Sequence, residues 1–203
     1  MAGGRSRRMG QDKPSIPFPA PTDPPLIARV HSILCPITGP CLIAGPSSFG
    51  LGCRVVADCP DIPGPLGGLI AGLEASPAEL VLACAADTPF PVSRLAEELI
   101  RLARAREGAP AVACLRDGWL EPLFAVYRRS AAAGLRKAAE QTNPHRGPAL
   151  RSALANLEPL TVAEGRWRLF DPEASSFQSC NTPEELTQAA ARAAGEQTSG
   201  GIP

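Results

Sequence analysis

Ala2-Gly3-Gly4-Arg5-Ser6-Arg7-Arg8-Met9-Gly10-Gln11-Asp12-Lys13 is the stretch from which the rest of the chain is read. Two adjacent glycines permit positive φ and bring backbone amides close to an anion without interference from side chains. Arg5, Arg7, Arg8 and Lys13 set mobile positive charge beside them, as transfer of a phosphate-bearing group requires. A basic, frayed terminus has the same composition, so the loop gains its meaning from the remainder of the chain. It is neither Gly-Lys-Ser/Thr nor Gly-x-Gly-x-x-Gly, which sets aside Walker and dinucleotide-binding loops.

Beyond the loop, apolar runs alternate with helical patterns. Leu26, Ile27, Val30, Ile33 and Leu34 form the stripe of a helix packed on a sheet, with Pro36 expected to stop it. Pro40–Ala44 and Cys53–Ala57 read as parallel strands buried on both faces, and Leu80–Cys84 as another that delivers Asp87 at its carboxyl end. Gly64-Pro65-Leu66-Gly67-Gly68 opens a helix with small residues, which leaves its first amides approachable or lets it pack tightly. Ser93 is expected to cap a helix reaching about Arg106, followed by a strand over 109–115 and a turn at Arg116-Asp117-Gly118. Ser130–Glu140 and Pro148–Leu157 read as helices. Thr182, Pro183 and Glu185 make a capping box at the head of a last helix. Pro14–Pro25, with six prolines, reads as an extended connector.

At 203 residues the chain has the length of one domain. Lysine plus arginine and aspartate plus glutamate balance at 20 each, so no global charge points to nucleic acid or an anionic membrane. Seven cysteines, with no CxxC pair and no histidine at zinc-finger spacing, favour reduced thiols in a cytoplasmic protein over disulfides or zinc. No apolar run is long enough for a membrane span. His31 is given no role.

The opening loop resembles the signature of the molybdenum cofactor guanylyltransferases, which is matched by Ala2, Gly3, Gly4, Ser6, Arg8, Met9, Gly10, Asp12 and Lys13. Gly64-Pro65-Leu66-x-Gly68, Cys84-x-x-Asp87-Thr88-Pro89, the strand from Glu121 to Arg128 and Asn181-Thr182-Pro183-Glu184-Glu185-Leu186 resemble further motifs of that family, in the same order. Ser179 stands where the family carries an asparagine. The resemblance implies a single-domain α/β protein of Rossmann-like, nucleotide-diphospho-sugar transferase type, with a mostly parallel sheet flanked by helices. That domain is expected over residues 1–195, with a disordered tail over 196–203. In the family an apolar strand precedes the glycine loop, so the first strand is expected to be truncated here, with the start set too late.

The activity implied is transfer of GMP from GTP to molybdenum-molybdopterin with release of pyrophosphate. Lys13, Arg8 and Asp87 would be catalytic. Met1, Ala2, Gly3, Gly4, Lys13, Asp58, Gly64, Leu66 and Asp87 would bind GTP. Asp87 would hold Mg²⁺, and Glu121 and Asn181 would face the pterin. The partners implied are GTP and molybdenum-molybdopterin, with molybdoenzymes, their chaperones or other cofactor-biosynthesis proteins downstream and neither nucleic acid nor membrane. A CTP-dependent molybdopterin cytidylyltransferase, a sugar-phosphate nucleotidyltransferase and a non-catalytic nucleotide-binding protein remain alternatives.

Overall fold

A computed structural model describes residues 13–141 and 150–199, with side chains of the last helix described through residue 195. Helix α1 (Leu26–Thr38) leads to strands β1 (Leu42–Ala44) and β2 (Arg54–Val56), then α2 (Pro65–Ala75) and β3 (Leu80–Cys84). Helix α3 (Ser93–Ala105), β4 (Ala111–Arg116), β5 (Trp119–Arg128), α4 (Ala131–Glu140), α5 (Leu150–Ala155), β6 (Leu160–Val162), α6 (Glu164–Trp167) and α7 (Pro183–Ser199) complete the order.

The α/β class holds, and the strands fall into two sheets. One is the parallel pair β1–β2; the other has the order β3-β5-β4-β6. In the larger sheet β3, β4 and β6 run the same way, and β5 lies inverted between β3 and β4. The reversal follows from the two-residue hairpin before β5. Asp117 and Gly118 have φ of 51° and 79°, the paired positive values of a tight turn between antiparallel neighbours.

Strand alternation divides the core between two faces. Val112, Cys114, Phe124 and Val126 point toward α1, α3 and α6, with Leu95, Leu99 and Trp167 wholly buried among them. Ala111, Ala113, Ala125 and Tyr127 point the other way, toward α2, α4 and α5, where Ile70, Leu73, Leu135 and Leu154 are buried. Small residues on that face let the helices lie close. Trp167 donates its indole N–H to the Leu115 carbonyl at 2.9 Å and stacks edge-on against Phe177.

The smaller sheet is different. Leu42 pairs with Arg54, Ile43 with Val55 and Ala44 with Val56, as the parallel reading expects. Burial on both faces does not hold, because Arg54 and Val55 are exposed. Between β1 and β3 runs an apolar slot with a volume of about 190 Å³, lined by both strands and by α1 and α2. Among the described residues neither strand has a partner on its slot-facing edge.

Several local expectations change. Pro36 lies inside α1 and does not stop it, although its ring withholds one amide from the helix ladder. The helix continues to Thr38, where Gly39, at φ 78°, donates to the Cys35 carbonyl and ends it. Val92, not Ser93, is the residue before α3, and its own amide donates to Ser176 Oγ. The proline-rich segment folds back instead of extending: Phe18 N donates to the Pro24 carbonyl, Pro17 bridges Pro25, and the Phe18 ring is buried against Phe90. Helix α7 reaches Ser199, so the expected tail from residue 196 is helical that far. The expected first strand and the glycine loop itself lie outside the described residues.

Candidate active site

The cluster of functional side chains lies beyond the carboxyl end of β3. After Cys84 the chain makes a turn in which Thr88 Oγ1 donates to the Ala85 carbonyl at 2.9 Å, lifting the Asp87 carboxylate clear of the sheet. Cys180 N donates to the Asp87 carbonyl at 2.9 Å and ties this turn to the segment leading into α7. That segment is fixed by the capping box: Glu185 Oε2 accepts from Asn181 N and Thr182 N, while Glu185 N donates to Thr182 Oγ1. The box turns the Asn181 side chain back toward Asp87.

Lys13 closes the cluster. Its Nζ donates to Asn181 Oδ1 at 2.8 Å and lies 3.5 Å from Asp87 Oδ2. The other half of the Asn181 amide donates to Ser179 Oγ at 2.7 Å, which fixes its orientation. Ser179, in the position where the family pattern has asparagine, therefore still serves the site. Lys13 is only 15% exposed and Asp87 25%, so the pair is partly screened from water and reachable from one side.

The two thiols beside Asp87 are held in the protonated form. Burial pushes Cys84 up to about 11, and burial followed by the Asp87 and Glu185 carboxylates does the same to Cys180, so both stay protonated near neutrality. Two hard oxygens, Asp87 Oδ2 and Asn181 Oδ1, converge on a cation, here an ammonium, and such a donor set suits Mg²⁺ completed by phosphate oxygens and water.

Next to Asn181 a cavity of about 450 Å³ is lined by Arg116, Phe177, Ser179, Cys180 and Arg192. Glu121 does not face it as a free carboxylate. It is buried and ion-paired, 2.8 Å from Arg116 Nε and 3.4 Å from Arg151, so it acts by holding the Arg116 guanidinium over the Phe177 ring at the cavity wall. Arg116, which in the sequence is only a turn residue, is thus placed with Arg192 in the cavity wall, where a cation could meet a substrate anion. The sequence signal for it is a carboxylate before proline on a buried strand, which needs a cation partner.

Among the described residues, the other predicted ones are not brought together with this cluster. Asp58 is exposed in the loop after β2, on the far side of the slot. Gly64, at φ 79°, begins α2 in a conformation that favours glycine. The Leu66 side chain is in the core, so only its backbone is available to a nucleotide. Gly67 has a packing role, since a Cβ there would stand 2.2 Å from the Ile62 carbonyl oxygen. Met1, Ala2, Gly3, Gly4 and Arg8 lie outside the described residues.

A lysine, a carboxylate and an amide gathered beyond the carboxyl end of a strand lie where α/β sheets bind ligands, and the relatives make the class a nucleotidyltransferase. The chain belongs to the MobA-like NTP transferase family, whose model matches residues 1–160. A probable molybdenum cofactor guanylyltransferase of Chloroflexus aggregans is 33% identical over 189 residues, covering 92% of this chain and 89% of that protein. A molybdenum cofactor guanylyltransferase of Pseudomonas putida is 34% identical, covering 92% and 93%. The crystal structure of molybdopterin-guanine dinucleotide biosynthesis protein A from Archaeoglobus fulgidus shares the fold with a TM-score of 0.74 at 24% identity, covering 96% of each chain.

Proposed function

We propose that the chain transfers GMP from GTP to molybdenum-molybdopterin, forming the guanine dinucleotide form of the molybdenum cofactor and releasing pyrophosphate, in the cytoplasm. The observation that carries this reading is the convergence of Lys13, Asp87 and Asn181 at the sheet edge, in a chain whose relatives bear the guanylyltransferase name.

A terminal phosphate oxygen of the pterin attacks the α-phosphorus of GTP. The new P–O bond forms as the bond from α-phosphorus to the bridging α–β oxygen breaks, and pyrophosphate takes the electron pair. The nucleophile is already an anion, so no general base is needed. Alignment and charge stabilisation are the protein's work. Lys13 leaves Asp87 for the β- and γ-phosphates, joined by the Arg8 guanidinium and the Gly3 and Gly4 amides of the same loop. Asp87 then stands ready for Mg²⁺, which when bound neutralises phosphate charge. Asn181, held by Ser179, keeps Lys13 on line. Arg116, braced by Glu121, meets the pterin phosphate from the adjacent cavity. Asp58 and the start of α2 approach guanine and ribose across the slot.

Label position tests the chemistry. With GTP labelled at the α-phosphorus, the label is expected in the pterin dinucleotide, and with GTP labelled at the γ-phosphorus, in pyrophosphate. Appearance of γ-label in orthophosphate, with none of the α-label transferred, would mean hydrolysis and overturn the reading.

A further inference from the structure

We propose that His31, Cys35, Cys41 and Cys53 form a structural zinc site that clamps α1 to the amino ends of β1 and β2. His31 and Cys35 are four residues apart on α1 and share a face. Gly39 then reverses the chain and returns Cys41 to that face: the Cys35 and Cys41 thiols both donate to the Gly39 carbonyl, at 3.5 and 3.6 Å. The imidazole nitrogen and the two sulfurs all lie within 4.8 Å of one another. Around tetrahedral zinc such atoms are about 3.5–3.8 Å apart, so binding asks the pairs to close by at most about 1 Å, within reach of half-buried side chains.

The strand register supplies the fourth ligand. Leu42 pairs with Arg54 in the parallel β1–β2 ladder, which brings Cys41 and Cys53, one step earlier, to adjacent positions; the Cys53 thiol lies outside the 4.8 Å group, donates to the Leu51 carbonyl at 3.7 Å, and turns from it to bind. The Cys35 thiol raises the pKa of both, in keeping with that proximity, although burial is the larger cause in each and pushes Cys41 to about 11. Three thiols and one imidazole are soft donors in the Cys₃His set typical of closed structural zinc sites. The cluster sits at the amino ends of β1 and β2, whereas Asp58 and Asp87 follow the carboxyl ends of β2 and β3, so the two sites are separate.

Spacing alone argues against zinc, because it is not that of a zinc finger. The sequence signal that remains is His-x₃-Cys on one helix face followed by a cysteine just past its turn. The expected consequence is a staple on the less buried of the two sheets, coupled to folding because the unfolded chain holds no such site.

The full chain, stripped of metal and kept reduced, is titrated with Co²⁺ as a spectroscopic stand-in. One Co²⁺ per chain is expected, with the absorption of thiolate-bound tetrahedral cobalt, displaced by Zn²⁺, and Zn²⁺ should raise Tm. Cys41→Ser and His31→Ala are expected to weaken binding by at least about 100-fold, since a lost ligand costs no less than a lost supporting contact. Cys59→Ser, outside the cluster, should bind as the parent does. Circular dichroism establishes that each variant is folded, and Cys53→Ser carries the same test should Cys41→Ser unfold. Absence of thiolate-bound cobalt in the folded, reduced chain would overturn the proposal. So would undiminished binding in the Cys35→Ser, Cys41→Ser double variant.

Discussion

The two sheets set the two parts of the proposed site, Asp87 and Asp58, on very different foundations. Asp87 follows a strand paired with β5, itself flanked on both sides and carrying wholly buried residues on each face. Asp58 follows a three-residue strand with Arg54 and Val55 in solvent, in a sheet separated from the first by the slot. The half of the site assigned to phosphate and metal is therefore held rigidly, and the half assigned to the nucleoside is tied mainly through α1 and α2. A site that must grip a triphosphate identically in every turnover, yet admit and release a base, is well served by that division.

The contrast can be broken most forcefully from the packed side. Trp167→Ala should lose about 3–5 kcal/mol of stability by denaturant unfolding, while Val55→Ala on β2 should change it by less than about 0.5 kcal/mol. Comparable losses would erase the distinction between the sheets.

Chemistry should depend on the rigid half. Asp87→Asn keeps the side-chain volume but removes the carboxylate that faces Lys13, and steady-state turnover should fall by about 100- to 1000-fold with little change in Tm. Near-normal turnover would remove Asp87 from the machinery.

The slot offers a way to make the halves alike. It is apolar, it is bordered by edges of β1 and β3 that have no partner among the described residues, and Lys13 lies beside Asp87, which follows the carboxyl end of β3. An apolar segment as long as the five-residue β3, fused ahead of the loop, should enter as a parallel strand and join the two sheets. Stability should rise by roughly 2 kcal/mol, and amides of β1 should gain protection from hydrogen exchange. An unchanged Tm would show that the slot does not accept a strand.

The smallest effect belongs to Glu98, buried on α3 beneath Arg101 and Arg166, both partly in solvent. The Arg101 hydrogen bonds, chiefly, with those of Arg166, hold its carboxyl at about 2 against the ordinary 4.5. A depressed folded value means stability present above pH 4.5 and lost as pH falls toward 2. Glu98→Gln should lower Tm by about 2–4 °C at pH 7, and the deficit should shrink across that window. A deficit independent of pH would assign the effect to packing.

How much of the molecule the sequence reveals depends on which signals are local. The α1 stripe, the strand delivering Asp87 and the capping box at Thr182 each declare themselves within a few residues. Strand β6, three residues long, is too short for alternation to register, and the proline-rich segment folds because Phe18 finds Phe90 far along the chain. The inverted β5 is legible in principle, since Asp117-Gly118 between two apolar runs is a hairpin signature. Glu121 is ambiguous in sequence because its partners, Arg116 and Arg151, are fixed only by tertiary packing. The meeting of Lys13 with Asn181, 168 positions apart, emerges only through the family resemblance.

Pyrophosphate release by the purified chain with Mg²⁺ and molybdenum-loaded molybdopterin, supplied with GTP or CTP in parallel, tests the central claim most directly. The account predicts release with GTP well above that with CTP, dependent on the pterin and lost in Asp87→Asn. Release with CTP alone, or silence with both nucleotides, would contradict it.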